Sequence, residues 1–212
     1  MKRALENLVF GARPVVLVLF ALVTVVMLWA ASQLRVDAGF KKQIPLEHEY
    51  MQTFLDYERE FGGANRVLVA LMARDGDIFS QDYMAALERL TSDVMALDET
   101  DDARVRSLFT PNVRFVEVVE DGFAGGNVIP QSFTPNLEGY VADQGEFETI
   151  RGNIVKSGIV GRLVARDFGG TMVWADLIPE DAGTGLDYQA LAQRLEALRG
   201  VYEDDRHTLH II

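Results

Sequence analysis

The residues whose types could do chemistry are three histidines, many carboxylates and several glycine pairs. His207 and His210 stand three apart at the start of an apolar run, residues 208–212, that reads as a strand. Successive strand side chains alternate between faces, so positions three apart point away from each other and cannot share a metal ion. His48 lies far from both in the chain. Asp75, Gly76 and Asp77 resemble the opening of a calcium loop, but no further ligand follows at the required spacing and Ser80 begins a helix, which leaves a turn.

The pairs Gly62–Gly63, Gly125–Gly126 and Gly169–Gly170 lack the Lys-Ser/Thr tail of a phosphate loop and the spacing of a dinucleotide fold. No serine occupies a nucleophile elbow. The chain has no cysteine, which excludes disulfides, thiol catalysis and Cys-ligated zinc. The expectation is therefore a protein that is not an enzyme, with no catalytic, cofactor-binding or metal-ligating residue and no cofactor.

Charge narrows the partners. The formal net charge is −12; Lys2, Arg3 and Arg13 against Glu6 leave +2 before residue 35, so residues 35–212 carry −14. An acidic surface repels phosphate, which argues against nucleic acid and against anionic headgroups as partners of this part.

The elements that must position any site begin with residues 14–34, twenty-one positions without a charge between Arg13 and Arg35. As a helix this run is ~31 Å long, matching the ~30 Å hydrocarbon core of a bilayer. Its many valines do not make it a strand, because a lone segment in lipid must satisfy its backbone hydrogen bonds internally. Lys2, Arg3 and Arg13 keep the amino terminus in the cytoplasm and send the residues after about 35 to the other side. Ala30, Ala31 and Ser32 are small enough for a signal-peptide cleavage site, but the run exceeds the roughly 7–15 apolar residues of a signal peptide, so a retained anchor is expected.

The division expected is a tail at 1–13, a transmembrane helix at 14–34, a linker and amphipathic helix at 35–64, and a domain at 65–212 with an insertion at about 110–158. Tyr50 with Phe54, and Met51 with Leu55, give the helix at 47–61, which Gly62 and Gly63 end. Residues 66–72 are apolar on both faces, the pattern of a central strand covered on both sides. Ser80 caps a helix whose stripe is Tyr83, Leu87, Leu90, Val94 and Leu97.

Strands are expected at 104–109 and 113–119, the latter bounded by Gly122, Gly125 and Gly126. Residues 127–139 read as an irregular connection, or an insertion packed against something outside this chain, before a helix at 146–155. A hairpin pairs 161–166 with 171–178; within it Trp174 either packs against a helix or lines a hydrophobic path. A last helix carries Tyr188, Leu191, Leu195 and Leu198 and stops at Gly200, and a strand ends the chain. Without the insertion the order is β-α-β-β-α-β, an α+β ferredoxin-like split unit with two helices on one face, which the strands at 113–119 and 160–166 would widen.

A basic tail, a first membrane helix and a two-lobed α/β domain ending on a strand resemble the amino-terminal segment of a resistance-nodulation-division (RND) transporter. The resemblance is strongest to the lipid and hydrophobe exporters related to the MMPL and Patched-like proteins. It rests on residues 35–45, 47–63, 66–72, 161–178 with the Arg166-Asp167 turn, and 207–212. It implies a periplasmic porter domain anchored in the bacterial inner membrane, and proton-driven export of hydrophobic or amphiphilic, lipid-like molecules.

In that family the proton-carrying acids lie in later membrane helices, so no site residue carries over and this chain alone lacks the proton relay. Its partners would be the lipid bilayer, the remainder of the transporter chain, the lipid-like substrate and periplasmic accessory proteins. The alternative from another class is a single-pass, membrane-anchored periplasmic binding or envelope-assembly module.

Overall fold

Two units make up the chain, Met1–Ala38 and Gly39–Ile212. The computed structural model describes residues 13–33, 47–61, 65–120, 122–178 and 186–212. Among the described residues of the first unit lies the helix α1 (Arg13–Ser32), whose most apolar eighteen residues have a mean hydropathy of 2.7 and none of whose residues is buried. Its two hydroxyls bond back into the helix, Thr24 Oγ1 to the Phe20 carbonyl at 2.8 Å and Ser32 Oγ to the Trp29 carbonyl at 2.7 Å. No hydroxyl is left unpaired, as an apolar solvent demands. Among the described residues α1 is the one helix long and apolar enough to cross a membrane, and it is compatible with a membrane anchor. Gln33 is already a turn, and Leu34, the expected linker at 35–45 and the Gly62–Gly63 stop lie outside the described residues.

The second unit opens with α2 (Glu49–Phe61), as expected from its periodicity. His48 sits at its amino end, where its Nδ1 accepts from the Tyr50 N–H at 3.3 Å and its ring stacks on Tyr50. Then follow β1 (Arg66–Ala73), α3 (Gln81–Met95), β2 (Arg114–Val119), β3 (Gly122–Asn127), α4 (Gln144–Ser157), β4 (Gly170–Asp176), α5 (Tyr188–Tyr202) and β5 (His207–Ile211). The fold is mixed α+β. β1 is central, antiparallel to β4 on one side and β5 on the other, with Leu71 opposite both Thr171 and Leu209.

One face of this sheet carries the core. Val69, Leu71, Val173, Ala175 and Leu209 are buried there with Tyr83, Leu87, Leu90 and Val94 of α3 and Leu191 and Leu195 of α5. The predicted α3 stripe is thus the core face, with Leu97 half-buried at its end. Ser80 caps α3 by accepting from the Tyr83 N–H, as its position in the sequence predicts. The Tyr83 hydroxyl donates to the Leu71 carbonyl at 2.7 Å and shares a 2.8 Å hydrogen bond with Thr171, tying α3 to β1 and β4. Burial pushes the Tyr83 phenol well above its ordinary pKa.

The structure corrects several of these expectations. Residues 104–109 do not form a strand. A short 3₁₀ turn, Asp102–Arg104, leads to a single antiparallel bridge in which Arg106 and Trp174 exchange backbone hydrogen bonds of 2.8 and 2.9 Å. Beyond it, Thr110 Oγ1 accepts the Ser107 N–H and Asn112 donates to the Val105 carbonyl, so side chains take the ladder's place. Residues 161–166 form a turn around left-handed Gly161 (φ 80°) rather than a strand, and of the expected hairpin only one antiparallel bridge to β4 remains, Val164 opposite Thr171, flanked by backbone hydrogen bonds of Leu163 and Ala165.

β2 does not widen the main sheet, because it pairs with β3 in a separate hairpin. Gly125 and Gly126 lie inside β3 instead of bounding a strand, and a Cβ at Gly125 would meet the Phe115 carbonyl oxygen at 2.8 Å. Residues 127–139 pack on this chain itself. Val128, Ile129 and Phe133 are buried, and Asn136 donates to the Ala85 carbonyl at 3.0 Å. Finally, Gly200 does not stop α5, because buried Tyr202 continues the helix and donates to Asp93 of α3 at 2.6 Å. That contact outweighs the roughly 1 kcal/mol that glycine costs inside a helix.

Candidate functional site

The three histidines do not assemble. His207 is buried on the core face beside the Tyr83 ring, its Nδ1 3.0 Å from Asp204. His210, opposite Ala70 in the register, is exposed on the other face. Asp77 closes its turn by accepting the Phe79 N–H at 3.0 Å and pairs with Arg151 of α4 at 2.9 Å, whose guanidinium lies 4.1 Å from the Phe79 ring centroid. Among the described residues no three metal-capable side chains converge.

The second face of the sheet is where the structure departs most usefully from the sequence. α3 and α5 both pack on the core face, so the expectation that β1 is covered on both sides is corrected. Strand alternation places Leu68, Ala70 and Met72 of β1 beside Met172 and Trp174 of β4 on the face away from these helices. Ala70 is buried and the other four are half-buried. From Leu68 to Met72 this stripe is about 14 Å long at a strand's rise per residue.

Trp174 therefore packs beside its own strand neighbours, on the face away from α3 and α5. Its Nε1–H points at the Met172 sulfur, 2.9 Å away, and the Arg66 guanidinium stands 5.3 Å from its ring centroid while pairing with Asp176 at 2.6 Å. These contacts hold the indole without enclosing it. Gly170 is required where β4 meets the end of β1, because a Cβ there would strike the Met72 thioether and, at 2.8 Å, the Leu71 carbonyl oxygen.

At the same end the 161–166 turn overhangs the face and makes a shallow cavity of about 250 Å³. Ala70, Met72, Leu163, Ala165 and Met172 line it, with Arg162 and Arg166 also in its wall. This volume lies just below the ~300–1,000 Å³ of enclosed small-molecule sites. Its size suits one end of an apolar molecule rather than a whole one. Methionine suits such a surface because its unbranched, polarizable side chain adapts to irregular partners. The sequence signal was present as alternating Leu68, Ala70, Met72 and Met172, Trp174, but nothing in it says which of two apolar faces the helices take.

No protein-family model matches the chain, and no curated protein matches it in sequence.

Proposed function

We propose that these residues are the first membrane helix and the periplasmic porter lobe of a proton-driven RND-type transporter, related to the MMPL and Patched-like exporters, that moves hydrophobic or amphiphilic molecules across the inner membrane. The single observation that carries this reading is the half-open apolar face on a sheet whose two helices both lie on the opposite side. The architecture supports it further. β1, α3, the Arg106 bridge, β4, α5 and β5 follow the order of a ferredoxin-like split unit, with the bridge standing where its second strand would be. In this reading Met72, Met172 and Trp174 line the substrate path, and the proton relay resides in membrane helices beyond this segment.

Two experiments test it. Reading the coding frame past Ile212 should reveal another apolar run of ~20 residues within a few positions; a stop codon there sinks the transporter and leaves a single-pass binding module. A phosphatase fused after Ala96, active only outside the cytoplasm, should be active in cells. An inactive fusion paired with a fluorescent cytoplasmic one would reverse the orientation.

A further inference from the structure

The charges around the open face do not follow the rest of the domain. Residues 35–212 carry −14, yet arginines border this face at both ends. Arg106 is the bridge partner of Trp174 and so shares its face, while Arg162 and Arg166 stand in the wall of the cavity at the Met72 end. All three are exposed, and among the described residues none has a carboxylate within ion-pair distance or any other side-chain partner. The carboxylates nearby are engaged. Asp176 holds Arg66, and Asp167 accepts the Gly169 N–H at 2.9 Å within its own turn.

Unpaired guanidiniums at the rim of an apolar groove have a specific chemical complement. A planar fork of N–H donors matches a carboxylate or a phosphate, and Met72, Met172 and Ala70 beside it match a hydrocarbon chain. In a domain that otherwise repels anions, this face is the place an anion can approach. We infer that the open face takes an anionic amphiphile, its acidic headgroup held by Arg162 and Arg166 and its chain laid along the Met72–Met172–Trp174 stripe. The inference rests on the apolar-face reading above and adds to it the sign and position of the headgroup.

The test exploits the chain's two tryptophans, Trp29 and Trp174. In the full chain carrying Trp29→Phe, reconstituted in lipid nanodiscs, Trp174 is the sole indole and reports contact with a brominated quencher. Titration compares 9,10-dibromostearate with its uncharged methyl ester, at concentrations below micelle formation. The acid should quench saturably at a concentration about tenfold lower than the ester, the worth of one charge-assisted hydrogen bond. The double variant Arg162→Gln/Arg166→Gln should erase that preference and leave quenching by the ester unchanged. Both positions are exposed, so its thermal unfolding should match the parent's.

A brominated alkyl phosphate run alongside distinguishes the two headgroup sources, and a preference for either over the ester supports the inference. If acid and ester quench alike, or the double variant keeps the preference, the headgroup assignment is wrong while the apolar path stands. If neither compound quenches Trp174, the apolar-face reading itself falls.

Discussion

Glutamine placed at two adjacent positions of β4 distinguishes the two faces of the sheet. Met172 is half-buried on the open face, whereas Val173 is fully buried between the sheet and its helices. In Met172→Gln the new amide is nearly isosteric, reaches water and accepts the Trp174 Nε1–H that the sulfur now receives. The loss is then the transfer of about one methylene equivalent, ~1 kcal/mol. In Val173→Gln the same side chain overfills a packed core at roughly 1–3 kcal/mol and buries an amide without partners at a further 1–3 kcal/mol.

Losing the valine's own burial adds about 1.5 kcal/mol, for a total of roughly 3.5–7.5 kcal/mol. For a domain of this size each kcal/mol shifts Tm by roughly 2–4 °C. Thermal unfolding followed by circular dichroism should therefore show a drop of a few degrees for Met172→Gln and of at least about seven degrees for Val173→Gln. Two variants within ~1 kcal/mol of each other would mean that both faces are equally covered, and the site described here would not exist.

Three further outcomes follow from the same contacts. Tyr83→Phe removes a hydroxyl bonded to Leu71 and Thr171 and should cost about 1–3 kcal/mol in urea denaturation; no change would mean those bonds contribute nothing net. Arg151→Ala removes the pair with Asp77 and the stacking on Phe79 and Phe168 that joins α4 to two turns, and should cost about 1–2 kcal/mol, little altered by salt because most of it is stacking. Burial alone would raise the Asp204 pKa, but the N–H groups of Arg206 and His207 and the His207 ring outweigh it and hold the carboxyl below its ordinary value. A lowered folded pKa means stability that is present above the unfolded value of about 3.9 and lost as pH falls through the folded one. Acid titration of unfolding should accordingly be shallower in Asp204→Asn, and an identical acid limb would refute the assignment.

Much of the core was legible because periodicity reports it directly. Tyr83, Leu87, Leu90 and Val94 step along one helical face, and all four are buried. What periodicity missed were places where side-chain chemistry or close approach overrides pattern. Residues 104–109 look like a strand, but Thr110 and Asn112 capture the backbone around Ser107 and Val105, leaving one bridge. Gly122–Asn127 looks like a strand's end, but the missing side chains at Gly125 and Gly126 are what let it lie against Phe115. The buried packing of Val128 and Phe133 was illegible for another reason. Scattered apolar residues in a Pro- and Asn-rich stretch have no period, and what buries them is tertiary: Phe133 packs edge-on against Tyr140 and Phe147, and the Val128 carbonyl accepts from Asn153.

The bare face, by contrast, follows from connectivity. β4 and β5 are both antiparallel to β1, hence parallel to each other, and the Arg106 bridge antiparallel to β4 makes that segment parallel to β1. Each helix thus links two parallel segments across one intervening strand, and such crossovers are right-handed in nearly all proteins. The two crossovers run in opposite directions along the sheet from strands of opposite sense, so one handedness sends α3 and α5 to the same side. Neither crossover helix, α3 or α5, is therefore placed over Met72, Met172 and Trp174. Their apolar character is then a property the fold does not require, and it must be explained by what the face meets.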